Sequence, residues 1–203
     1  MSTVPAETRY IADDLLAMRD AEDYELVNGV LVKRQGGWLS GWIGGQLLVR
    51  LAQFCHEHPA GWVVSSGGDA GYQLFPSSPY TVRKPDVSFV RYGRLSGEQP
   101  PPGYAKLAPD LAAEVISPND LYEEVDEKIE EYLRAGVRLV WVVSPRNHTV
   151  RVYRLDGSSQ SLREADELSG EDVLPGFRCR VADLFPRPPA TPHQDNGAQA
   201  HAP

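Results

Sequence analysis

DLAAEVISPNDLYEEVDEKIEEYLRAGVRLVWVV, residues 110–143, carries the reading of the fold. The run Leu111-Ala112-Ala113-Glu114-Val115-Ile116 is apolar throughout except for one glutamate, as in a strand covered on both faces. Ser117-Pro118-Asn119-Asp120 punctuates it, and from there a charged helix is predicted to about Ala135, with Gly136 as its carboxyl-terminal cap. Arg138-Leu139-Val140-Trp141-Val142-Val143 then reads as a fully buried strand. Strand, helix and strand in that order imply a right-handed crossover within a mixed sheet that has helices on its faces.

Upstream, residues Thr8 to Arg19 are predicted as a short helix, with Thr8 as a candidate cap before Ile11, Leu15 and Leu16. Tyr24-Glu25-Leu26-Val27 and Val30-Leu31-Val32-Lys33 flank Asn28-Gly29, a strong hairpin signal. From Trp38 to His56, Leu39, Ile43, Leu47, Leu51 and Phe54 recur at helical spacing. Gly41, Gly44 and Gly45 either weaken its first turns or admit a close neighbour. Strands are predicted over Gly61 to Ser65, Gly71 to Phe75 and Val82 to Val90, with a Gly/Pro-rich loop over Gly93 to Gly103. Thr149 to Leu155 is the hairpin partner of the buried strand; Gln160 to Arg163 and Gly176 to Val181 are weaker strands. The fold class is therefore α/β. An N-terminal segment with its short helix (1–21) precedes one domain (22–185), and a Pro/Ala-rich tail (186–203) has a composition expected to be disordered.

The chain of 203 residues has 41% hydrophobic and 24% charged residues, ordinary values for a globular domain. A formal net charge of -8 argues against non-specific wrapping of nucleic acid, which relies on Lys and Arg neutralising phosphates. Between Thr81 and Arg94, however, Arg83, Lys84, Arg91 and Arg94 outnumber the single acid Asp86. That surplus reads either as a local phosphate-facing surface or as a solvated strand end. Cys55 and Cys179 form neither a disulfide framework nor a zinc clip, and read as thiols in a reducing cytosol. The amino terminus MSTVPAETRY lacks the apolar run of a signal peptide, and no stretch approaches the ~20 apolar residues of a membrane span. A cytoplasmic location without membrane association is expected.

Glu114 is the chemical anomaly. A carboxylate inside an apolar strand needs a cation, a metal ion or the mouth of a site, because burying it unpaired costs several kcal/mol. It also lies near the carboxyl end of its strand, where open α/β sheets place ligands. Pairing with an arginine at a strand edge is the competing reading. Asp86 follows Pro85, which cannot donate to a ladder, so the strand begins there or lies at an edge, and which fixes the backbone directly before the carboxylate. In the helix, Leu121, Val125, Ile129, Tyr132 and Leu133 form the apolar stripe. At about 100° per residue Lys128 falls on that stripe, while Glu123, Glu127 and Glu130 fall opposite. Lys128 either snorkels outward or reaches Glu114 on the sheet beneath. Two carboxylates and a lysine suit phosphodiester hydrolysis with Mg²⁺, whose oxygen ligands typically include one or two carboxylates and several waters.

YELVNGVLV, RKPDVSFV, DLAAEVISPND, EEVDEKIEEYLRAGVRLVWVV, VRVYRLDG and LPGFRCRVADLF, in this order over roughly residues 22–185, resemble the Uma-type restriction endonucleases of the PD-(D/E)XK nuclease superfamily. The resemblance implies a restriction endonuclease-like mixed sheet flanked by helices, with an N-terminal hairpin and additional C-terminal strands. It implies that Asp86 is the aspartate of the PD motif, that Glu114 is the acid of the second motif, and that the carbonyl of Val115 is a further metal ligand. The motif's lysine position holds Ile116; the lysine has moved to the next helix, which Lys128 matches. Glu25 corresponds to an acid of the first hairpin that either assists the metal or caps a strand. A histidine many relatives carry near the start of the long helix is Ser40 here, with Trp42 and Gln46 close by. The expected activity is a Mg²⁺-dependent (or Mn²⁺-dependent) DNA endonuclease, expected as a homodimer because cutting both strands usually needs two sites. A catalytically silent nuclease-fold module of a mobile-element or defence system would instead show Glu114 and Lys128 as a purely structural ion pair. A hydrolase of small phosphates or nucleotides would show a closed pocket.

Overall fold

In the computed structural model the described residues are 9–67 and 70–187. Helix α1 (Ala12–Leu16) precedes a hairpin of β1 (Tyr24–Val27) and β2 (Val30–Lys33), then the long helix α2 (Trp38–Glu57). Strands β3 (Gly61–Ser65), β4 (Tyr72–Gln73), β5 (Val82–Arg83), β6 (Val87–Arg91) and β7 (Leu111–Val115) lead to helix α3 (Tyr122–Arg134). Strands β8 (Leu139–Ser144), β9 (Thr149–Arg154), β10 (Ser159–Arg163), β11 (Glu167–Ser169) and β12 (Arg178–Arg180) complete the order.

The central sheet runs β10-β9-β8-β7-β6-β3, and its one parallel pair, β7 with β8, is the pair that α3 joins. Period-two alternation sends Leu111, Ala113 and Val115 to one face, where Ile43, Leu47 and Leu51 of α2 pack with Trp141. Ala112, Val140 and Val142 point to the other face, against Ile129 and Tyr132 of α3. Each face of the sheet thus carries one helix, as the uninterrupted apolar strands require.

A smaller sheet, β2-β1-β5-β4, stands beside the first. Its hairpin turns at Asn28 (φ 52°) and Gly29 (φ 86°), both left-handed as a tight two-residue connection demands. The predicted strand Val82 to Val90 is instead two strands in different sheets. The physical cause lies at the junction: Lys84 gives its N–H to a Glu25 carboxylate oxygen at 2.7 Å, and Pro85 has none to give. The ladder stops there, and residues 84–86 carry the chain from one sheet to the other.

Other expectations shift at their ends. The first helix is shorter than predicted and starts at Ala12, where Asp14 accepts the Ile11 N–H at 2.9 Å; Thr8 lies outside the described residues. Leu121 is not on the apolar stripe of α3 but just before its first turn, 61% exposed. Gly136 (φ 92°) follows the last turn of α3 as expected. Strand β11 was not anticipated; it pairs with β12, which occupies the predicted Gly176 to Val181 segment. The tail from residue 188 onward also lies outside the described residues. Among the described residues no helix is long and apolar enough to cross a membrane.

Candidate active site

One cleft of about 680 Å³ collects Glu25 from β1, Asp86 from the inter-sheet junction, Glu114 from β7 and Lys128 from α3. The alternation of β7 puts Glu114 on the face that α3 covers. There its Oε1 accepts the Tyr132 hydroxyl at 2.7 Å and its Oε2 accepts the Lys128 ammonium at 3.5 Å. Tyr132 follows Lys128 by four residues, so one turn of helix presents both groups. Of the two readings of Lys128, reaching inward is the one observed.

Asp86 is held by backbone. The β6–β7 ladder ends at the Val87–Ala113 pair, so the N–H of Val115 has no strand opposite it. Asp86 Oδ2 accepts that N–H at 2.8 Å. The N–H and C=O of a strand residue leave by the same edge, which turns the Val115 carbonyl toward Asp86 as well. Asp86 Oδ1 lies 3.8 Å from the Arg34 guanidinium, which is itself anchored on Ser66 Oγ at 2.7 Å. Gly44 of α2 faces Asp86: a Cβ added there would sit 3.8 Å from the Asp86 Cβ, ordinary contact, so this helix approach is not tight.

Glu25 is 2% exposed and has the densest set of partners. Besides the Lys84 N–H it accepts the Arg83 guanidinium at 3.0 Å and lies 3.2 Å from Lys128 Nζ. Arg83 donates in turn to Glu131 Oε2 at 2.5 Å. The result is a buried line of alternating charge, Glu131–Arg83–Glu25–Lys128–Glu114, that runs from the small sheet through α3 to the central one.

The three carboxylates respond differently to this setting. Burial pushes Glu25 up, but Lys128, Arg83 and the Lys84 amide outweigh it and bring the group down to about 2. Burial pushes Glu114 up to about 7; Lys128 pulls it down, while the negative charges of Asp86 and Glu25 add to the rise. Asp86 is also raised, by burial and against the pull of the Val115 amide. Lys128 is raised because Glu114 and Glu25 outweigh its own desolvation. Burial, more than the neighbouring acids, thus leaves Asp86 and Glu114 as the two carboxyls whose charge is least stabilised in the cleft.

A metal ion would stabilise both. Among the described residues no group of three or more His, Cys, Asp or Glu side chains forms a cage. The donors at hand are two carboxylates and one backbone carbonyl, all hard oxygen, beside a cleft open to water; the Asp86 side chain is 32% exposed. Such a set fits Mg²⁺ or Mn²⁺, which keep several waters, rather than zinc.

Ser40 lines an adjoining cavity with Asp86 and Val115, but its hydroxyl donates to the Gly37 carbonyl at 3.0 Å, a bond within its own helix turn. Gln46 is likewise engaged with Arg50 at 3.0 Å. The basic run is not a phosphate-facing surface. Arg83 is 5% and Lys84 1% exposed, and Lys84 Nζ donates to the Ala21 carbonyl at 2.7 Å. Arg91 is bound to the Asp172 and Val173 carbonyls, and Arg94 pairs with Asp110 at 2.9 Å. Tyr132, Glu131 and Arg34 were not foreseen as polar members of this region. Helical spacing held the signal for Tyr132 and Glu131, four and three residues beyond Lys128.

The fold has solved counterparts. A crystal structure described as "a putative nuclease belonging to DUF820 from Anabaena variabilis" matches with a TM-score of 0.70 and 16% identity, over 86% of this chain and 96% of that one. No curated protein matches the sequence. A family model described as "Putative restriction endonuclease" matches residues 12–182, from the first turn of α1 to beyond β12. The chain belongs to that family, Uma2.

Proposed function

We propose that this protein is a metal-dependent DNA endonuclease that hydrolyses phosphodiester bonds, with Asp86, Glu114 and Lys128 as its catalytic residues. The observation that carries the reading is the convergence of these three side chains on one open cleft in which both carboxylates are held above their ordinary range. Asp86, Glu114 and the Val115 carbonyl would hold Mg²⁺ or Mn²⁺. When bound, such an ion supplies a water of lowered pKa and neutralises charge developing on the phosphate.

The chain's own residues do the rest. The Val115 amide fixes the Asp86 carboxylate at the strand edge. Tyr132 and Lys128 fix that of Glu114. Lys128, anchored on Glu25, directs an ammonium into the cleft, where it stabilises the negative charge of a scissile phosphate. Glu25 acts on Lys128 as a positioning residue. Ser40 occupies the place of a family histidine and, with its hydroxyl engaged, has no assigned role. Cutting both strands of a duplex takes two such sites, which a homodimer supplies.

A second reading is favoured by one distance: Lys128 lies closer to Glu25 than to Glu114. In that reading the charged line is a structural brace within a catalytically silent module. The deciding experiment is cleavage of supercoiled plasmid DNA in Mg²⁺ and in Mn²⁺, wild type against Asp86→Ala. Metal-dependent nicking that the variant lacks supports the enzyme; no cutting by wild type in either ion supports the brace.

A further inference from the structure

A second cleft, of about 1080 Å³, adjoins the acidic one, and Ile116 and Asp120 line both. Its wall includes Trp38, the first residue of α2, with an indole 82% exposed. So large an apolar ring left in water forgoes substantial burial energy, and it stands beside the proposed site. The helix behind it starts at Gly37 with no side-chain cap and no acid in its first turn. Its amino end is thus open to an anion. Ser117, 4% exposed, also lines this cleft, and its buried hydroxyl has no hydrogen-bond partner among the described residues. Arg146, exposed on the rim, makes no ion pair or hydrogen bond among the described residues.

The other flank of the acidic cleft is different. The first turn of α3 carries Glu123 and Glu124, which repel phosphate. Arg83 and Lys84 are buried and the formal net charge is -8, so the basic run beside the cleft is not free to hold the two phosphate backbones of a duplex. A single strand needs less charge when an aromatic ring supplies stacking.

We propose that the cleft beside Trp38 takes an unpaired nucleotide of the DNA strand being cut, its base stacked on Trp38 and its phosphate between the amino end of α2 and Arg146. The consequence is a preference for single-stranded or locally unpaired DNA over intact duplex. This rests on the nuclease reading, which it deepens by naming the substrate.

The test is fluorescence anisotropy with a short labelled single strand and the corresponding duplex, in EDTA and again in Ca²⁺, for wild type, Trp38→Ala and Trp38→Phe. Trp38 is too exposed for its loss to unfold the protein. Wild type binds the single strand more tightly; Trp38→Ala loses roughly tenfold on the single strand and little on duplex, and Trp38→Phe retains most of the affinity. Equal or tighter binding of duplex, an unchanged Trp38→Ala, or no binding in either condition overturns the proposal. The cleavage arm keeps the two readings apart. Trp38-dependent binding without metal-dependent cutting ends the nuclease reading but leaves the nucleotide site standing. Cutting of duplex that Trp38→Ala performs at the wild-type rate does the reverse.

Discussion

Lys128 Nζ stands 3.2 Å from Glu25 Oε2, a carboxylate that belongs to the other sheet and is itself fastened by Arg83 and the Lys84 amide. The lysine is therefore aimed by a partner outside the proposed metal-ligand set. Lys128→Met keeps the length and helix preference of the side chain and leaves Glu25 its Arg83 partner. Cleavage is expected to fall by about two to three orders of magnitude, comparable to losing one preorganised donor. Metal binding, followed by calorimetry, should survive above pH 8 but weaken near neutrality, because Glu114 loses the cation that holds its pKa down. Cleavage at the wild-type rate would make Lys128 part of a brace only.

Glu114 predicts an unusual pH dependence. Its folded pKa of about 7 lies above the ordinary carboxylate value, so the native state binds the extra proton. Its contribution to stability is complete below the unfolded pKa and is lost as pH rises through about 7. Metal-free wild type should gain stability relative to Glu114→Gln as pH is lowered from 8 to 5, and at pH 8 the variant should be as stable or more so. Thermal melts in EDTA across this range decide it. A large loss of stability for Glu114→Gln at pH 8 would indicate an indispensable ion pair.

Asp86→Asn preserves an oxygen to accept the Val115 N–H while removing the charge. It should fold normally, lose metal binding in calorimetry and lose cleavage. Retained metal affinity would show that the ion is held elsewhere.

Much of this arrangement is legible in residues 110–143 alone. An acid in an apolar strand and a lysine on an apolar helix stripe are each unfavourable, and their mutual neutralisation was foreseeable from the connection between them. The N-terminal hairpin was equally plain in Asn28-Gly29. What could not be read was which charges the fold buries. Arg83 and Lys84 look like surface cations in sequence, because the groups that hold Arg83, Glu25 and Glu131, are 58 and 48 residues away. For the same reason Glu25 reads as an accessory acid, although it organises the centre. The split of the predicted strand at residues 84–86 is half legible: Pro85 marks the break, but the capture of the Lys84 amide by the Glu25 side chain is encoded in no periodicity.

Arg83 offers a separate check on that burial. Arg83→Met removes a cation shared by two carboxylates that are each under 5% exposed at the side chain. Breaking such a pair leaves uncompensated buried charge and should cost about 3–5 kcal/mol in urea denaturation. The salt dependence of DNA binding should be unchanged. A stable variant with a weaker salt dependence would instead return Arg83 to the phosphate-contacting surface.

Asp86 sits on the three-residue link between the two sheets, while Glu114 is built into one sheet and Glu25 into the other. The spacing of the carboxylates is therefore a property of neither sheet alone but of how one is set against the other. The two sheets are locked together around that link: Tyr72 of the hairpin sheet shares a hydrophobic cluster with Ala112 and Val140 of the central one, and Arg83 and Glu25 are tied to Glu131 and Lys128 of α3. The reach of the site across its acids is thus set by the seam between two layers, and a substitution buried in that seam alters it without touching any of the carboxylates.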